Sequence, residues 1–447
     1  MIKPDTIMSK LRVLLIAGFL LFWLAPSVIA QDFIPPMPSD LAKTRISLMT
    51  VGLGDNLYSR YGHTMLRVED PSNNLDYMVN WGIFDFSDPM FIPKFFRGIL
   101  IYQMGFSGSV ATINYYRNVE KRSVIEDELA LTEKQKKQLM EKIIWNAQPE
   151  NYKYPYQYFR NNCATIPRDY LDELAGGAFK RQFENIKTEY SYRDYVRKNL
   201  AINPFVAWGL DVIFNGDSDH KITAWQEMFY PLKLREYLAK APRVGEDGQI
   251  DVNQPLLINH RVVVDLPNPP DQAIDGYLMT WLVSGVPLLV VGLVMFRRMR
   301  ENRVDLPKWC FRVFGLVSLW WGFTHGFFGL THFSAWLFSS HTDLHHNLNI
   351  FLFWPFDMLV VILGVHMGLL GRAWNFKGLI PKEWWRQLAF GHLVVIPVYA
   401  CVSYLGISGQ DTSRVLAFMA PLSALYFIVL ARLVSCYPEA PPKDPQS

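Results

Sequence analysis

The chain has 447 residues, of which 50% are hydrophobic, 15% aromatic and only 19% charged, so it is too apolar to be one soluble domain. Its net charge is only +3, and after residue 275 the basic residues concentrate in short loops between apolar segments, which argues against a nucleic-acid-binding function. The length allows two structural units.

The first 30 residues have the pattern of a secretory signal peptide. Lys3, Lys10 and Arg12 precede the apolar run LLIAGFLLFWL, and the small residues of VIA come just before Gln31. The alternative is an uncleaved anchor, but the run is shorter than the ~20 residues that span a bilayer. In either case we expect the region that follows to be exported.

Residues 31–275 are predicted to form an exported α/β domain in which several strands precede the first helix. Apolar and polar residues alternate in the early segments, and the turn sequence EDPSNN separates two of them. A helix is expected to open at Thr132, where Gln135 completes a capping box. Strands are expected at TRISLMTVGLG, GHTMLRV, DYMVNWGIF, ILIYQMGF and RSVIEDEL.

A further helix is expected in the segment FRNNCATIPRDYLDELAGG. Asn162 is the predicted N-cap and Cys163 is predicted to lie in the first turn. Pro167 is expected to kink the start of this helix or delay it, because proline disfavours helical geometry at the residue before it. The helix is predicted to stop at Gly176 and Gly177.

Cys163 is the only cysteine of the exported region, since the other three fall within or at the ends of later apolar segments. Disulfides form in exported compartments, yet Cys163 has no partner within the region, so it is either incidental or kept for its reactivity. A helix start and a neighbouring imidazole both lower the pKa of a thiol. We therefore predict Cys163 as nucleophile, His63 as its base, and Asn80 on the paired strand as the group that orients the histidine.

Gln157 and Asn162 are weaker candidates for contacts with an oxyanion or a substrate. Each candidate has a structural alternative. A lone cysteine is commonly a small buried hydrophobe, and the amides of Asn80 and Gln157 can satisfy backbone groups.

The order of these residues resembles a known fold. A strand histidine comes about 100 residues before an Asn-Cys pair at a helix start, as in the circularly permuted papain-like fold of the lecithin:retinol acyltransferase and NlpC type. More closely, LYSRYGHTMLRV, VNWGIFDF, FRNNCATIPRDYL and the apolar tail resemble the bacterial Lnb-type lipoprotein N-acyltransferases. The family's histidine and cysteine correspond to His63 and Cys163, whereas Pro167 departs from the expected pattern.

This resemblance implies an acyltransferase that needs no cofactor. A fatty acyl chain would pass from a phospholipid, through a thioester on Cys163, to the α-amino group of the lipidated N-terminal cysteine of a bacterial lipoprotein. Two alternatives stay open: a papain-like peptidase or amidase of the cell envelope, and a non-enzymatic assembly factor in which Cys163 is inert. Several membrane spans count against the peptidase, which a soluble or singly anchored domain would suit.

The region after residue 275 is predicted to be a bundle of five transmembrane helices. The loops after the first and third spans carry most of the Lys and Arg residues, while 332–346 carries none, so the basic loops are predicted to be cytoplasmic. This places residues 31–275 in the periplasm, the bundle in the inner membrane and residues 436–447 in a cytoplasmic tail. The spans are expected near 276–296, 311–331, 347–370, 389–406 and 414–435.

Histidines cluster in SSHTDLHHNLN, between the second and third predicted spans. The spacing of His341 and His345 suits metal ligands on one helical face, but Asp343 alone does not complete a ligand set, so no metal is predicted. We expect His341, His345 and His346 to form a polar lid near the lipid headgroups that can bond phosphate or close over the catalytic cleft. His345 and His346 are therefore also weaker candidates for contacts with an oxyanion or a substrate. Within the spans, Asp357 and His325 are expected to face the bundle interior and are candidates to pair with each other.

Overall fold

A computed structural model describes residues 34–84, 90, 94, 97–201, 203–245, 249–269, 275–301, 306–374 and 380–435. The predicted signal peptide and the predicted C-terminal tail lie outside the described residues. A mixed α/β unit is followed by apolar helices that begin at Gly276. The domain boundary at 275 and 276 stays a prediction.

A seven-stranded antiparallel sheet forms the centre of the α/β unit, in the order β11-β5-β1-β2-β3-β4-β6. The five strands expected from the sequence correspond to β1–β5, whereas β6 and β11 were not predicted. β7 pairs with β8, and β9 with β10, in two small separate sheets. The strands are β1 Arg45–Val51, β2 His63–Asp70, β3 Leu75–Ile83, β4 Ile101–Gly108, β5 Val124–Leu129, β6 Lys153–Pro155, β7 Lys187–Ser191, β8 Lys221–Thr223, β9 Pro242–Val244, β10 Ile250–Pro255 and β11 Leu257–Val264.

Short helices cover the sheet and connect it to the membrane part. The longest of them opens at Thr132, whose side chain accepts from the Gln135 N–H while the Gln135 side chain accepts from the Thr132 N–H, so the predicted capping box is confirmed. The helices are α1 Ser109–Tyr115, α2 Glu133–Asn146, α3 Thr165–Leu174, α4 Ala178–Phe183, α5 Tyr192–Asn199, α6 Pro204–Ile213, α7 Ala224–Glu227 and α8 Pro231–Leu238.

The helix that follows the cysteine starts later than its N-cap suggests. α3 begins at Thr165, so the prediction that Cys163 lies in the first turn is wrong, while the expected delay is confirmed. Asn162 still caps the turn, because its Oδ1 accepts from the N–H groups of Ala164 and Thr165 at 2.8 and 2.9 Å. Pro167 is the third helical residue, a position whose N–H would have no intrahelical acceptor, so proline is tolerated there.

The two faces of the central sheet contribute to different hydrophobic clusters. One face, with Leu66, Val79 and Trp81, packs against α2 and α3 in a large core. The other face holds a smaller cluster that includes Met65. Asn80 lies directly opposite Met65 in the register, and His63 lies two residues before Met65 on the same strand. His63 and Asn80 therefore share the second face, as the alternation predicted.

The C-terminal part contains four described helices long and apolar enough to cross a membrane, or five spans if a bent pair counts as one. The segment predicted as a span at 347–370 is not one straight helix, because Thr342–Phe351 and Pro355–Leu370 meet at an angle of 67°. Pro355 at the break cannot continue the preceding helical hydrogen bonds. The four long helices are α9 Gly276–Arg300, α10 Lys308–Phe338, α12 Lys382–Tyr404 and α13 Val415–Val434, and α11 Val360–Leu370 ends the bent pair.

Polar contacts join the α/β unit to the segment between α10 and the bend. Arg160 forms an ion pair with Asp343 at 3.2 Å and donates to Thr342 Oγ1 at 3.3 Å. Asn215 Nδ2 donates to the backbone oxygens of Thr342 and His345, both at 2.8 Å. Arg160 lies three residues before Cys163, so these contacts attach the cysteine loop to the membrane part.

Candidate active site

His63 stands at the start of β2 and is oriented by Asn80 on β3. The distance between His63 Nε2 and Asn80 Oδ1 is 2.6 Å, and both side chains are partly buried. An amide oxygen can only accept, so in the neutral ring Nε2 carries the proton and Nδ1 is left as the base. The predicted proximity of these two residues is observed.

Cys163 lies in the loop between β6 and α3, is partly exposed, and is close enough to His63 for each group to shift the pKa of the other. Burial alone would raise the pKa of the thiol, but the His63 imidazolium, the Thr64 backbone N–H and the Arg122 guanidinium outweigh it and lower the pKa of Cys163. Burial alone would lower the pKa of His63, and the Cys163 thiolate and Asn80 outweigh it and raise it. Both shifts are in the direction of thiolate and imidazolium, the reactive form of a cysteine nucleophile.

Gly82 leaves space beside the cysteine. It has φ +93°, a conformation that favours glycine, and a Cβ placed there would lie 3.7 Å from the Cβ of Cys163. A side chain at this position would therefore occupy the surface next to the nucleophile. Gly82 lies two residues after Asn80 on β3. The same strand therefore supplies the amide that orients His63 and the glycine that leaves space beside Cys163.

Arg122 is a buried cation near Cys163 and His63. The sequence did not predict a role for it. Its side chain is 3% exposed, with Nε donating to Gly52 O at 2.8 Å and Nη1 pairing with Glu120 at 2.6 Å. Because it acts on both members of the pair, its charge lowers the pKa of the Cys163 thiol and also that of His63. The net result is a bias toward thiolate.

Gln157 and Asn162 were predicted to contact an oxyanion or a substrate. No described contact joins either side chain to the sulfur of Cys163. Gln157 has an exposed side chain, and its backbone pairs with that of Asn161 in the turn before the cysteine. Asn162 uses its amide within the protein, since Nδ2 donates to Tyr158 O and Phe229 O, both at 2.9 Å, and Oδ1 caps α3. Asn162 therefore positions the cysteine loop, and the prediction that it contacts substrate is corrected.

The histidine loop lies against the segment before Cys163. His341 is buried and packs against the Tyr158 ring, with 5.6 Å between centroids. His345 Nε2 donates to Ser339 O at 2.8 Å, while His346 packs edge-on against Trp336. Among the described residues no group of three or more His, Cys, Asp or Glu side chains could hold a metal ion.

Asp357 faces the bundle interior, as expected, but its partner is different from the predicted one. It pairs with His392 at 3.0 Å and accepts from the Trp354 N–H at 3.2 Å. His325 is also buried and instead stacks on Trp321, with 3.6 Å between ring centroids. The predicted pairing of Asp357 with His325 is therefore wrong, because α12 supplies a closer imidazole.

A row of partly buried aromatic rings runs from the cysteine side of the sheet to the histidine loop. The consecutive centroid distances are 5.2, 4.1, 5.8 and 5.6 Å. We call this set the aromatic row, and it consists of Phe84, Tyr102, Tyr156 and Tyr158, ending on His341. Tyr156 is close enough to Cys163 for the thiolate to contribute, after burial, to raising its pKa. The row thus connects the nucleophile with the loop that follows α10.

One known protein family matches the part of the chain that contains these residues. Residues 37–197 match the family model of the Lnb N-terminal periplasmic domain. The match confirms the resemblance to Lnb-type proteins, and the matched segment contains His63, Asn80 and Cys163. Together with the apolar helices, it indicates a membrane protein with a periplasmic Lnb-type domain. No curated protein and no solved structure matches the chain.

Proposed function

We propose that this protein is an N-acyltransferase of the bacterial inner membrane that acylates lipoproteins in the periplasm. The observation that carries the proposal is the group of Cys163, His63 and Asn80, in which the imidazole interacts with the thiol and is hydrogen-bonded to the amide at 2.6 Å. The Lnb-type match and the attached apolar helices support lipid substrates. The order of strand histidine before helix-flanking cysteine fits a permuted papain-like arrangement.

In the first half-reaction the Cys163 thiolate attacks the carbonyl carbon of a phospholipid acyl ester. The ester C–O bond breaks, the departing alkoxide takes the proton from the His63 imidazolium, and a lysophospholipid leaves. The products are a Cys163 thioester and a neutral His63. The aromatic row offers an uncharged surface along which the acyl chain can lie.

In the second half-reaction the α-amino group of a diacylglyceryl-modified lipoprotein attacks the thioester. With a pKa near 7.7–8.0, on the order of a tenth of such amines are unprotonated at pH 7. The C–S bond breaks, the amide forms, and the proton lost by the amine returns to His63. Both substrates are membrane lipids, so holding the thiol on a membrane bundle replaces a three-dimensional search with a local one.

The test uses the full-length protein in phospholipid vesicles with a synthetic diacylglyceryl lipopeptide that has a free α-amino group. Mass spectrometry should show N-acylated lipopeptide with the native protein and none with Cys163→Ala. Cys401→Ala is the matched control, because Cys401 is an exposed free cysteine on α12. The thioester on Cys163 should appear as an acyl-sized mass increment that hydroxylamine removes.

Full acylation by Cys163→Ala would refute the proposed function. A cysteine-dependent release of free fatty acid or cleaved peptide, without transfer to the amine, would favour an envelope peptidase or amidase. A third outcome concerns cells that cannot mature lipoproteins when the gene is deleted. If Cys163→Ala restores normal maturation in these cells, the protein is an assembly factor.

A further inference from the structure

One buried hydroxyl near the nucleophile has an unused proton. Tyr154 lies on the short strand β6, and its hydroxyl oxygen is fully buried without a hydrogen-bond partner among the described residues. The backbone N–H of Gly82 approaches this oxygen without completing a hydrogen bond, and an N–H can only donate. The hydroxyl proton therefore has no acceptor. An unsatisfied buried hydroxyl costs free energy, on the order of 1–3 kcal/mol, so its retention calls for an explanation.

The position of this hydroxyl is set by the residues that flank the cysteine. Gly82 adjoins both groups, since the N–H of Gly82 approaches the Tyr154 oxygen and a Cβ at Gly82 would lie 3.7 Å from the Cβ of Cys163. Tyr154 also interacts electrostatically with the Cys163 thiolate. The unpaired hydroxyl and the cysteine therefore both adjoin Gly82.

The chemistry of acyl transfer requires a donor at this place. When sulfur attacks an acyl carbonyl, the π electrons move to oxygen, and that oxyanion needs hydrogen-bond donors that are already in position. Of the amides predicted for this role, Asn162 is committed to the protein backbone, and no described contact joins the exposed Gln157 side chain to the cysteine.

We propose that Tyr154 is a further catalytic residue, whose hydroxyl donates a hydrogen bond to the carbonyl oxygen of the acyl group as the oxyanion forms. The proposal rests on the proposed function and deepens it. The same donor serves twice, first when the Cys163 thiolate attacks the donor ester and again when the amine attacks the thioester. Each time the proton stays on Tyr154, and the electron pair returns from oxygen to carbon as the leaving group departs.

The ionisation of Tyr154 is consistent with a donor and not with a base. Burial, and then the neighbouring Cys163 thiolate, raise the pKa of Tyr154 well above its ordinary value. The phenol therefore stays protonated throughout the pH range in which the cysteine is active. It can stabilise charge that develops on a substrate oxygen without competing with His63 for the proton.

The test is Tyr154→Phe in the full-length protein, which keeps the ring and removes only the hydroxyl. We expect acylation of Cys163 in a single turnover to slow on the order of 10²-fold, as for removal of one oxyanion donor. Alkylation of Cys163 by iodoacetamide should stay near the native rate, because displacement at a saturated carbon forms no oxyanion. A purely structural role would change both rates together. Tyr170→Phe is the matched control, since the Tyr170 hydroxyl lies 3.1 Å from Asn146 Oδ1.

Acylation should be measured with a phospholipid and, separately, with a p-nitrophenyl acyl ester. If Tyr154→Phe acylates within about threefold of the native rate with both donors, or loses alkylation and acylation equally, the role of Tyr154 is refuted. If the native protein reacts with the activated ester but never with phospholipid or lipopeptide, the proposed function fails, and the ester still reports on the hydroxyl.

Discussion

The hydrogen bond between His63 and Asn80 gives the sharpest prediction about the proposed reaction. Asn80→Ala removes the acceptor that lies 2.6 Å from His63 Nε2 and leaves a partly buried imidazole N–H without its partner. The imidazolium that stabilises the thiolate is then weakened, since Asn80 is one of the groups that raise the pKa of His63. A hydrogen bond to a charged group contributes about 1.5–3 kcal/mol. If this is lost in the transition state, N-acylation should fall about 10- to 150-fold.

The pH profile separates orientation from charge. The thiolate forms as pH rises through the lowered pKa of Cys163, so reactivity should rise there. The imidazolium is lost as pH rises through the raised pKa of His63, so reactivity should fall there. Asn80→Asp keeps the acceptor and adds a negative charge, which raises the pKa of His63 further and should move the alkaline limb to higher pH. Asn80→Ala should move it to lower pH.

The assay is lipopeptide N-acylation by the vesicle-bound protein between pH 5 and 10, with thiol alkylation measured on the same samples. Asn253→Ala serves as the control, because Asn253 lies exposed on β10. Near-native acylation by Asn80→Ala, with an unchanged pH profile, would show that the hydrogen bond has no part in the reaction. The assignment of Asn80 would then be abandoned, while Cys163 and His63 would be unaffected.

Three other substitutions test the surroundings of the site. Arg122→Gln should raise the pKa of the Cys163 thiol, so alkylation at pH 7 should slow and its onset should move to higher pH, about tenfold in rate for each unit of pKa. Tyr102→Ala removes a ring from the middle of the aromatic row and should change which acyl-chain lengths are found on the product. The preference between two chain lengths should change by about fourfold for each methylene that gains or loses contact. Asp357→Ala leaves His392 without its buried partner and should destabilise the bundle by about 1–3 kcal/mol, seen as a lower Tm in detergent.

The first two of these variants have counterparts outside the site. Arg117→Gln removes an exposed arginine from the turn after α1, and Tyr190→Ala removes an exposed ring from β7. Equal pH profiles for Arg122→Gln and Arg117→Gln would contradict the electrostatic role of Arg122. An unchanged acyl-chain distribution for Tyr102→Ala would mean that the chain does not lie along the aromatic row. A Tm unchanged by Asp357→Ala would show that the buried pair contributes nothing to stability.

The sequence predicted the strands around the site because local pattern determines them. The alternation of β2 and β3 placed His63 and Asn80 on one face, and the register of the sheet makes them neighbours. The sequence pattern did not predict the roles of residues whose environment depends on tertiary contacts. Asn162 could not be distinguished from a substrate ligand until its amide was seen bonded to two backbone oxygens. Tyr154 could not be singled out because it lies in a tyrosine-rich segment, which also supplies Tyr156 and Tyr158 of the aromatic row.

The segment FRNNC shows how positioning and chemistry are combined in one short loop. Arg160 attaches the loop to Asp343 in the membrane part, and Asn162 attaches it to the α/β core through Tyr158 O and Phe229 O. The sulfur of Cys163 follows directly, so the loop that carries it is attached on both sides. In the proposed reaction the thiol takes an acyl chain from one membrane lipid and passes it to another, which requires a constant depth relative to the bilayer. Arg160 and Asn162 would serve this reaction by holding the sulfur between the two parts of the molecule, without touching substrate themselves.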